Sequence, residues 1–480
     1  MKCGWVAVAA SMLVLAGCGG DDGHASQSED LTSSATILNP PIEHFKYGSI
    51  GADKLGLPAV LLRAIPIVCA DTLPEGADPY NRPLEAFGLI YEDGHDLPIG
   101  FSKRRTLGID LVGNNCSVCH TSTVREDEGS ERAVYFGAPA TRFDIERYQQ
   151  FLMSCISDSS RFNAYNIYSA FDELGIWGIE SLLAFKSDFI RLFLADTQRK
   201  FDSVVRDGPW GPGRDDAIGL SGAILLGEEF LPTLPAPVDF PSVWNQEARH
   251  GHALHWDGAA GSARERNILV AVGAGTPANS VPIKSLDAVQ SWLDGLEPPA
   301  YPFSIDAALA AKGAEIFEAR CDRCHGENGA RTFEVIALDD IGTDSNRIDV
   351  VTEEAVAELN SLSGAGWHFE EFKKTNGYVT NLLDGIWLRA PYLHNGSVPT
   401  LRDLLSPPES RPKEFYRGND VYDQKNVGFV STVASEGSIE YSLYDTTRQG
   451  NGNGGHFGPE YGTDLSDDEI DALLEYMKTL

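Results

Sequence analysis

The chain has 480 residues, of which 42% are hydrophobic and 22% are charged. This composition argues against a disordered chain and suits a globular protein of two to four domains. The formal net charge of −32 argues against nucleic acid as a partner, because phosphate binding needs a basic face. The same charge could steer a small basic electron-transfer protein to the surface, or it could serve solubility alone.

The first residues predict an export signal. Lys2 precedes an apolar run from Trp5 to Ala16, which is too short to span a bilayer. The following Leu-Ala-Gly-Cys resembles the lipobox of bacterial lipoproteins, in which Cys18 would carry the lipid. An ordinary signal peptide with a chance cysteine is the alternative. We therefore predict a lipoprotein signal peptide over residues 1–17.

Residues 18–40 are rich in Ser, Gly, Asp and Thr, which predicts a flexible tether. Gly19 follows the predicted lipid site, and the resemblance to lipoproteins implies that this residue does not cause retention at the inner membrane. We expect an exported, lipid-anchored protein on the periplasmic face of the outer membrane or on the cell surface. Its membrane contact would be through the N-terminal lipid only.

One five-residue motif occurs twice, as CSVCH and as CDRCH. Cys-x-x-Cys-His offers two thiols for thioether bonds to haem vinyl groups and a histidine for the iron. A zinc site is one alternative, but its cysteine pairs usually lie within about 20 residues of each other. Two redox dithiols are another, but they need no histidine. We predict two covalent haem c groups, haem 1 on Cys116, Cys119 and His120 and haem 2 on Cys321, Cys324 and His325.

Two further cysteines, Cys69 and Cys155, have no role in this scheme. In an oxidising compartment they could form a disulfide. Cys155 also continues the helical series of Tyr148 and Leu152, so a buried inert thiol is equally compatible with the pattern.

Helical periodicity and turn signals suggest the domain organisation. The segment IESLLAFKSDFIRLFL repeats apolar residues with a helical period. A later helix is expected to begin at Ser285 as N-cap and to end at Gly295, before three prolines. We place the boundary there, with an N-terminal haem domain at 41–295 and a C-terminal cytochrome c domain at 296–480.

The last third has the element order of a small cytochrome c. A helix with Ser304 as N-cap leads into CDRCH, and Ser466 with Glu469 forms a capping box before the last helix. We expect a mainly α fold of two tandem cytochrome c-like domains with long loops. Strands are not excluded over 60–110 and 410–445, where periodicity is weak.

A haem that only passes electrons has both axial positions filled, whereas a haem that does chemistry leaves one open. For haem 2 the predicted sixth ligand is His456, since the preceding GNGNGG lets backbone pass close to a macrocycle. His394, in APYLHNGS, is the alternative. Methionine is less favoured, because Met477 belongs to the apolar face of the last helix.

The stretches HWDG, ERN and LRAPYLHNGSVPTLRDLL, followed by FYRGNDVYD and GNGNGGH, resemble the bacterial dihaem cytochrome c peroxidase superfamily. Within it they look closest to the dihaem rubber-oxygenase-like (RoxA-like) branch. The resemblance covers roughly residues 85–480. It implies that Trp256 lies between the haems, that haem 1 has an open or weakly occupied distal side and that haem 2 is six-coordinate.

Two departures from the peroxidases affect the expected chemistry. The peroxidases carry an acid–base glutamate shortly after Trp-Asp-Gly, where this chain has VGAGTPANS, and a methionine ligand where it has LLSPPES. Splitting a peroxide bond needs a group that moves a proton between its oxygens. Glu265 is the candidate carboxylate that could replace the missing one.

The sequence thus favours a redox enzyme in which haem 1 binds O2 or peroxide and haem 2 transfers electrons. A peroxidase proper and a non-catalytic dihaem electron carrier remain the alternatives. The expected partners are a small electron-transfer protein or an organic substrate. The substrate and a calcium ion between the domains are left open.

Overall fold

The computed structural model describes residues 36–204, 209–230 and 232–480. The predicted signal peptide, Cys18 and most of the predicted tether lie outside the described residues. In the described part, no helix combines the length and the apolarity needed to cross a bilayer.

Helices are spread along the whole described chain. They are α1 (Pro41–Tyr47), α2 (Ala59–Val68), α3 (Ile145–Ser157), α4 (Ala164–Glu173), α5 (Ser187–Val204), α6 (Ala217–Leu225), α7 (Ala263–Gly273), α8 (Ile283–Asp294), α9 (Ala307–Arg320), α10 (Asp322–His325), α11 (Leu338–Ile341), α12 (Asn346–Asp349), α13 (Glu353–Asn360), α14 (Leu401–Leu404) and α15 (Asp467–Met477).

The strands are short and mostly pair in twos. They are β1 (Leu57–Pro58), β2 (Phe101–Thr106), β3 (Ile109–Asn114), β4 (Thr121–Val124), β5 (Ala133–Phe136), β6 (Arg214–Asp215), β7 (Val238–Asp239), β8 (Val335–Ala337), β9 (Ser363–Gly364), β10 (Trp367–His368), β11 (Gly377–Val379), β12 (Glu414–Arg417), β13 (Tyr422–Asp423), β14 (Gly428–Phe429), β15 (Ser435–Glu436), β16 (Ile439–Glu440) and β17 (Ser442–Asp445).

The expected mainly α fold is wrong. Helices take up 39% and strands 14% of the structure, which is mixed α and β with many small sheets and is not clearly two cytochrome c domains. Besides the three-stranded sheet β1-β3-β2, each sheet of the described residues has two strands. Apart from the six-residue strands β2 and β3, the strands have two to four residues, which is too short to show a period of two in the sequence.

The three-stranded sheet positions the first haem motif. β2 and β3 pair antiparallel from Phe101 opposite Asn114 to Thr106 opposite Ile109, and β3 ends two residues before Cys116. Asn115 follows the strand, and its amide nitrogen donates to the carbonyl oxygens of Lys46 and Gly48 at 3.1 and 2.9 Å. The sheet and α1 therefore fix the point at which CSVCH begins.

The first and last helices of the C-terminal region cross. At the crossing, a Cβ added to Gly313 on α9 would lie 2.0 Å from the carbonyl oxygen of Ala472 on α15, so only glycine permits this approach. The capping box of Ser466 and Glu469 at the start of α15 is confirmed. Met477 is buried in the core, as its place on the apolar face predicts.

Two predicted N-caps are wrong. Helix α9 is capped by Asp306, whose carboxylate accepts from the N–H of Ala308 and Leu309, and not by Ser304. Helix α8 begins before Ser285, whose hydroxyl is instead 2.9 Å from Nε2 of His44. In both cases a tertiary contact or a neighbouring side chain outweighs the local capping preference.

The apolar cores cross the predicted boundary after residue 295. One core lies within the first half, around Leu61, Phe143 and Phe171. A second core packs Val124 and Trp244 with residues of the last third. The domain division stays a prediction, and the packing shows apolar contact between its two parts.

Cys69 and Cys155 form a disulfide, which joins the end of α2 to α3. The sequence left open a disulfide or a buried inert thiol, and the structure has the disulfide. It closes a loop with a sequence separation of 86, inside the first apolar core.

Candidate haem sites

The first motif lies on a single turn. Cys116–Val118 form a 3-10 helix capped by Asn115, whose side chain accepts from the N–H of Ser117 at 3.0 Å. The thiols of Cys116 and Cys119 are free. Nδ1 of His120 is 2.9 Å from the carbonyl oxygen of Pro241.

The second motif follows α9 directly and occupies the short helix α10. The thiols of Cys321 and Cys324 are free, and Nδ1 of His325 is 2.7 Å from the carbonyl oxygen of Asn381. Both motif histidines therefore make the same contact, a ring nitrogen on a backbone carbonyl more than fifty residues away.

That shared contact determines which nitrogen can bind a metal. A carbonyl oxygen accepts only, so Nδ1 carries the proton and Nε2 keeps its lone pair. A metal-bound histidine commonly donates its other N–H in this way. Burial lowers the pKa of His120 to about 4. Burial is also the main cause that lowers the pKa of His325, so both rings are neutral.

A second imidazole faces His325. The ring centroids of His325 and His456 are 6.4 Å apart. Two metal–nitrogen bonds of about 2 Å each, with the ring radii added, span about 6 Å between centroids, so an iron fits between these rings. His456 has a φ of 47°, and its Nδ1 is buried without a hydrogen-bond partner. After the glycine run, the ring of His456 thus lies opposite that of His325, and its role as sixth ligand stays a prediction.

His394, the alternative sixth ligand, lies elsewhere. It is buried and stacks on Tyr378 with centroids 4.0 Å apart, and its Nε2 is 3.0 Å from the hydroxyl of Tyr378. The Tyr378 hydroxyl donates to the carbonyl oxygen of Asp344 at 2.6 Å, so its proton is engaged there. The structure brings His456 and not His394 to His325.

Trp256 is half-buried and connects the segments that orient both motif histidines. Its Nε1 donates to the carbonyl oxygen of Asp239 at 2.9 Å, two residues before Pro241, which holds His120. Its own carbonyl oxygen accepts from the N–H of Val379 at 2.9 Å, two residues before Asn381, which holds His325.

Glu265 is buried near the start of α7 and has a structural contact. Its carboxylate accepts from the N–H of Glu370 at 3.2 Å and of Glu371 at 3.1 Å, while its own N–H donates to the N-cap Ser262. These bonds tie α7 to the loop after β10. A proton-transfer role for Glu265 stays a prediction.

The residues of both motifs fit haem c. Each motif offers two free thiols and an imidazole with an available nitrogen, and the buried Nδ1 of His456 lacks a protein partner. For calcium, the described residues contain no group of three or more His, Cys, Asp or Glu side chains that could hold a metal ion.

Sequence reasoning missed a buried ion pair beside Trp256. Arg417 donates through both terminal nitrogens to the Asp239 carboxylate, at 2.9 and 2.8 Å. Gly396 of the HNGS stretch packs on this pair with a φ of +64°, and a Cβ there would lie 2.2 Å from the carboxylate oxygens. The sequence offered one signal for this pair, the presence of both HNGS and FYRGND. The two stretches are apart in the sequence, so their contact could not be predicted from it.

Comparison with known proteins supports the cytochrome reading for one segment. Residues 377–417 match the family model described as RoxA-like, cytochrome c-like. The matched segment contains Asn381, His394 and Arg417, which contribute to the geometry described above. The chain therefore contains a RoxA-like cytochrome c-like region, which indicates a haem-binding redox protein.

Two curated proteins of Sinorhizobium fredii are similar over longer stretches. The chain is 32% identical over 295 residues to the uncharacterized protein y4iM, an alignment that covers 52% of this chain and 66% of that protein, just under two thirds. It is 25% identical over 525 aligned positions to the uncharacterized protein y4iJ, with 83% of this chain and 84% of that protein covered. Their names assign no activity.

Proposed function

We propose that the protein is an exported, lipid-anchored dihaem c-type redox enzyme of the dihaem peroxidase superfamily. Haem 1, on Cys116, Cys119 and His120, would bind O2 or peroxide at an open axial position. Haem 2, on Cys321, Cys324 and His325 with His456 as sixth ligand, would transfer electrons. The bound haems would supply the redox chemistry, and the chain would supply orientation and a route between them.

The observation that carries the proposal is the unequal surroundings of the two motif histidines. His325 faces the ring of His456 at 6.4 Å between centroids. Within the described residues, no imidazole faces His120 in this way. An iron with imidazole on both sides passes electrons, whereas an iron with one protein ligand can bind a small oxidant.

Trp256 supports an electron route between the two sites. Its side chain is hydrogen-bonded to the segment whose Pro241 carbonyl contacts His120. Its backbone is hydrogen-bonded to the segment whose Asn381 carbonyl contacts His325. Such short covalent and hydrogen-bonded links favour electron transfer through the indole. A small basic electron carrier would then reduce haem 2, attracted by the net charge of −32.

The position of Glu265 favours O2 over rapid peroxide turnover. Both oxygens of its carboxylate accept hydrogen bonds from backbone N–H groups. The carboxylate is therefore not free to transfer a proton to or from a bound peroxide. A peroxidase proper would need such a group at the iron. It remains the second candidate, supported by the resemblance in sequence.

The test uses the full chain purified with its haems. The ferrous protein is exposed to O2 and the ferric protein to peroxide, and the visible spectrum is followed. We expect a new oxygen-bound spectrum with O2, with only slow peroxide consumption in the presence of a reduced small cytochrome. Trp256→Phe should keep this binding and slow the reoxidation of haem 2 severalfold. If neither oxidant gives a new oxygen-bound or high-valent spectrum, only an electron carrier is left.

A further inference from the structure

Two buried arginines that pair with Asp239 have unused hydrogen-bond donors. Arg214 has 0% of its surface exposed, and its Nε and Nη2 have no hydrogen-bond partner. Arg417 is 4% exposed, and its Nε also lacks a partner. A buried guanidinium with unpaired N–H groups is destabilising, because its charge and its donors have lost water without gaining a partner, so these donors call for an acceptor.

The protein acceptors around Arg214 do not meet this need. Asp239 is committed to both terminal nitrogens of Arg417, and its closest oxygen is 3.8 Å from Nε of Arg214. Nη1 of Arg214 donates to the side-chain oxygen of Asn451 at 2.8 Å, and its guanidinium lies 4.8 Å from the ring centre of Tyr444. Nε and Nη2 are left over.

Glu146 is the other carboxylate that acts on Arg214. One of its oxygens accepts the N–H of Trp210 at 2.6 Å, and the other is buried without a partner. Burial raises the pKa of Glu146 well above its usual range, and repulsion from Asp215 adds to the effect. The ion pair of Arg214 with Asp239 is long, at 3.8 Å, so it compensates the charge of Arg214 only in part.

The guanidinium of Arg214 lies beside the segment that contacts His120. Arg214 pairs with Asp239 across β6 and β7. Asp239 accepts from Trp256 through its carbonyl oxygen and donates its N–H to the carbonyl oxygen of His394 at 2.9 Å. Two residues on, Pro241 holds His120. Next to Gly396, the buried hydroxyl of Ser397 also lacks a partner.

We propose that Arg214, flanked by Arg417, is a carboxylate-binding site, and that its occupant is a propionate of haem 1. A guanidinium presents a fork that matches a carboxylate in shape and charge. The inference rests on the proposed function, since a propionate is present only when haem is attached. The proposed contact would also raise the reduction potential of haem 1, because a buried cation beside the propionate stabilises the reduced iron.

The experiment begins with a haem count on the full-length protein by the pyridine haemochromogen method. Absence of haem would refute the proposed function itself. With haem attached, the midpoint potentials and the resonance Raman propionate bending bands are compared between the native protein and Arg214→Met. Arg105→Met is the matched control, because Arg105 is 60% exposed and forms only surface ion pairs with Asp110 and Glu180.

For Arg214→Met we expect the ratio of reduced to oxidised iron at one haem to fall about tenfold at a fixed potential, a shift of about 59 mV. The propionate band should move in the same variant, and Arg105→Met should change neither. Arg214→Lys keeps the charge but loses the fork, so it should move the band and keep most of the potential. This second variant also serves if Arg214→Met does not fold.

Two results would overturn the assignment. Unchanged potentials and bands in folded Arg214→Met or Arg214→Lys would show that no propionate is bound there. A saturable change of the native spectrum on adding acetate, lost in Arg214→Met, would show a site for a free carboxylate. With a propionate in place, acetate should have no effect.

Discussion

His456 and His394 show how the contacts of a single side chain separate two candidate ligands. The ring of His394 is engaged by Tyr378 through stacking and a hydrogen bond, whereas the ring of His456 faces His325 and has a buried nitrogen without a partner. The proposed haem 2 therefore depends on His456, and His394 supports the packing of the segment around it.

Replacing His456 with alanine should open haem 2. We expect the oxidised protein to lose its low-spin signal and to gain high-spin iron, because one of two strong-field imidazoles is removed. His394→Ala should keep the low-spin signal and lower the free energy of unfolding by about 1–3 kcal/mol, since the Tyr378 hydroxyl loses a contact.

His368→Ala is the matched surface control, because that side chain is 66% exposed. It should leave both the spectrum and the stability unchanged. Retention of the low-spin signal in His456→Ala, with its loss in His394→Ala, would reverse the assignment.

At the residue scale, the sequence predicted the groups whose spacing is local. Cys116, Cys119 and His120 lie within one turn, and the glycines before His456 indicated a close backbone approach. The roles of Pro241 and Asn381 as acceptors for the motif histidines were not predictable, since a carbonyl group is common to every residue. The Asp239–Arg417 pair was missed for a related reason, because it joins residues 178 positions apart.

The crossing of α9 and α15 is the element-scale contact beside the second haem motif. Gly313 lies where the backbone of Ala472 leaves no room for a side chain. A glycine in a helix costs up to about 1 kcal/mol relative to alanine, so the close packing must compensate for this loss.

Gly313→Ala should lower the free energy of unfolding by about 1–3 kcal/mol, because overpacking outweighs the gain in helix propensity. Gly295→Ala is the control, since a Cβ there meets no heavy atom within 4 Å. Urea unfolding of both variants measures the difference. Equal stability of the two variants would contradict the close crossing.

The disulfide between Cys69 and Cys155 should stabilise the first apolar core. Replacing both cysteines with alanine is expected to lower the free energy of unfolding by about 2–5 kcal/mol, because the unfolded chain regains the freedom of a long loop. Denaturant unfolding, with the haem content checked in parallel, measures the effect. An unchanged unfolding midpoint would show that the bridge contributes nothing.

Elements were predictable where the chain is periodic or capped, as at α15 with its capping box. The short strands were not, because β6 and β7, for example, have two residues each and form only by pairing with each other. Ser285 and Ser304 resembled N-caps, but Ser285 contacts His44 and the cap of α9 is Asp306. Local preference was outweighed by tertiary contacts in the first case and by a nearby carboxylate in the second.

At the scale of the whole molecule, the net charge of −32 should govern association with electron carriers. The rate of electron exchange with a small basic cytochrome should fall steeply as salt is raised, because the screening length shrinks from about 30 Å at 0.01 M to about 3 Å at 1 M. Stopped-flow kinetics at several ionic strengths measures this dependence. An acidic carrier should instead react faster as salt rises, and a rate independent of salt for both would exclude steering.

The most direct test of unequal haems is EPR spectroscopy of the fully oxidised protein with both haems attached. We expect one equivalent of low-spin iron, from the haem between His325 and His456, and one equivalent that is high-spin or converts to a new signal on adding a small exogenous ligand such as cyanide. Two equivalents of low-spin iron, both unchanged by added ligand, would contradict the account and leave a protein that only relays electrons.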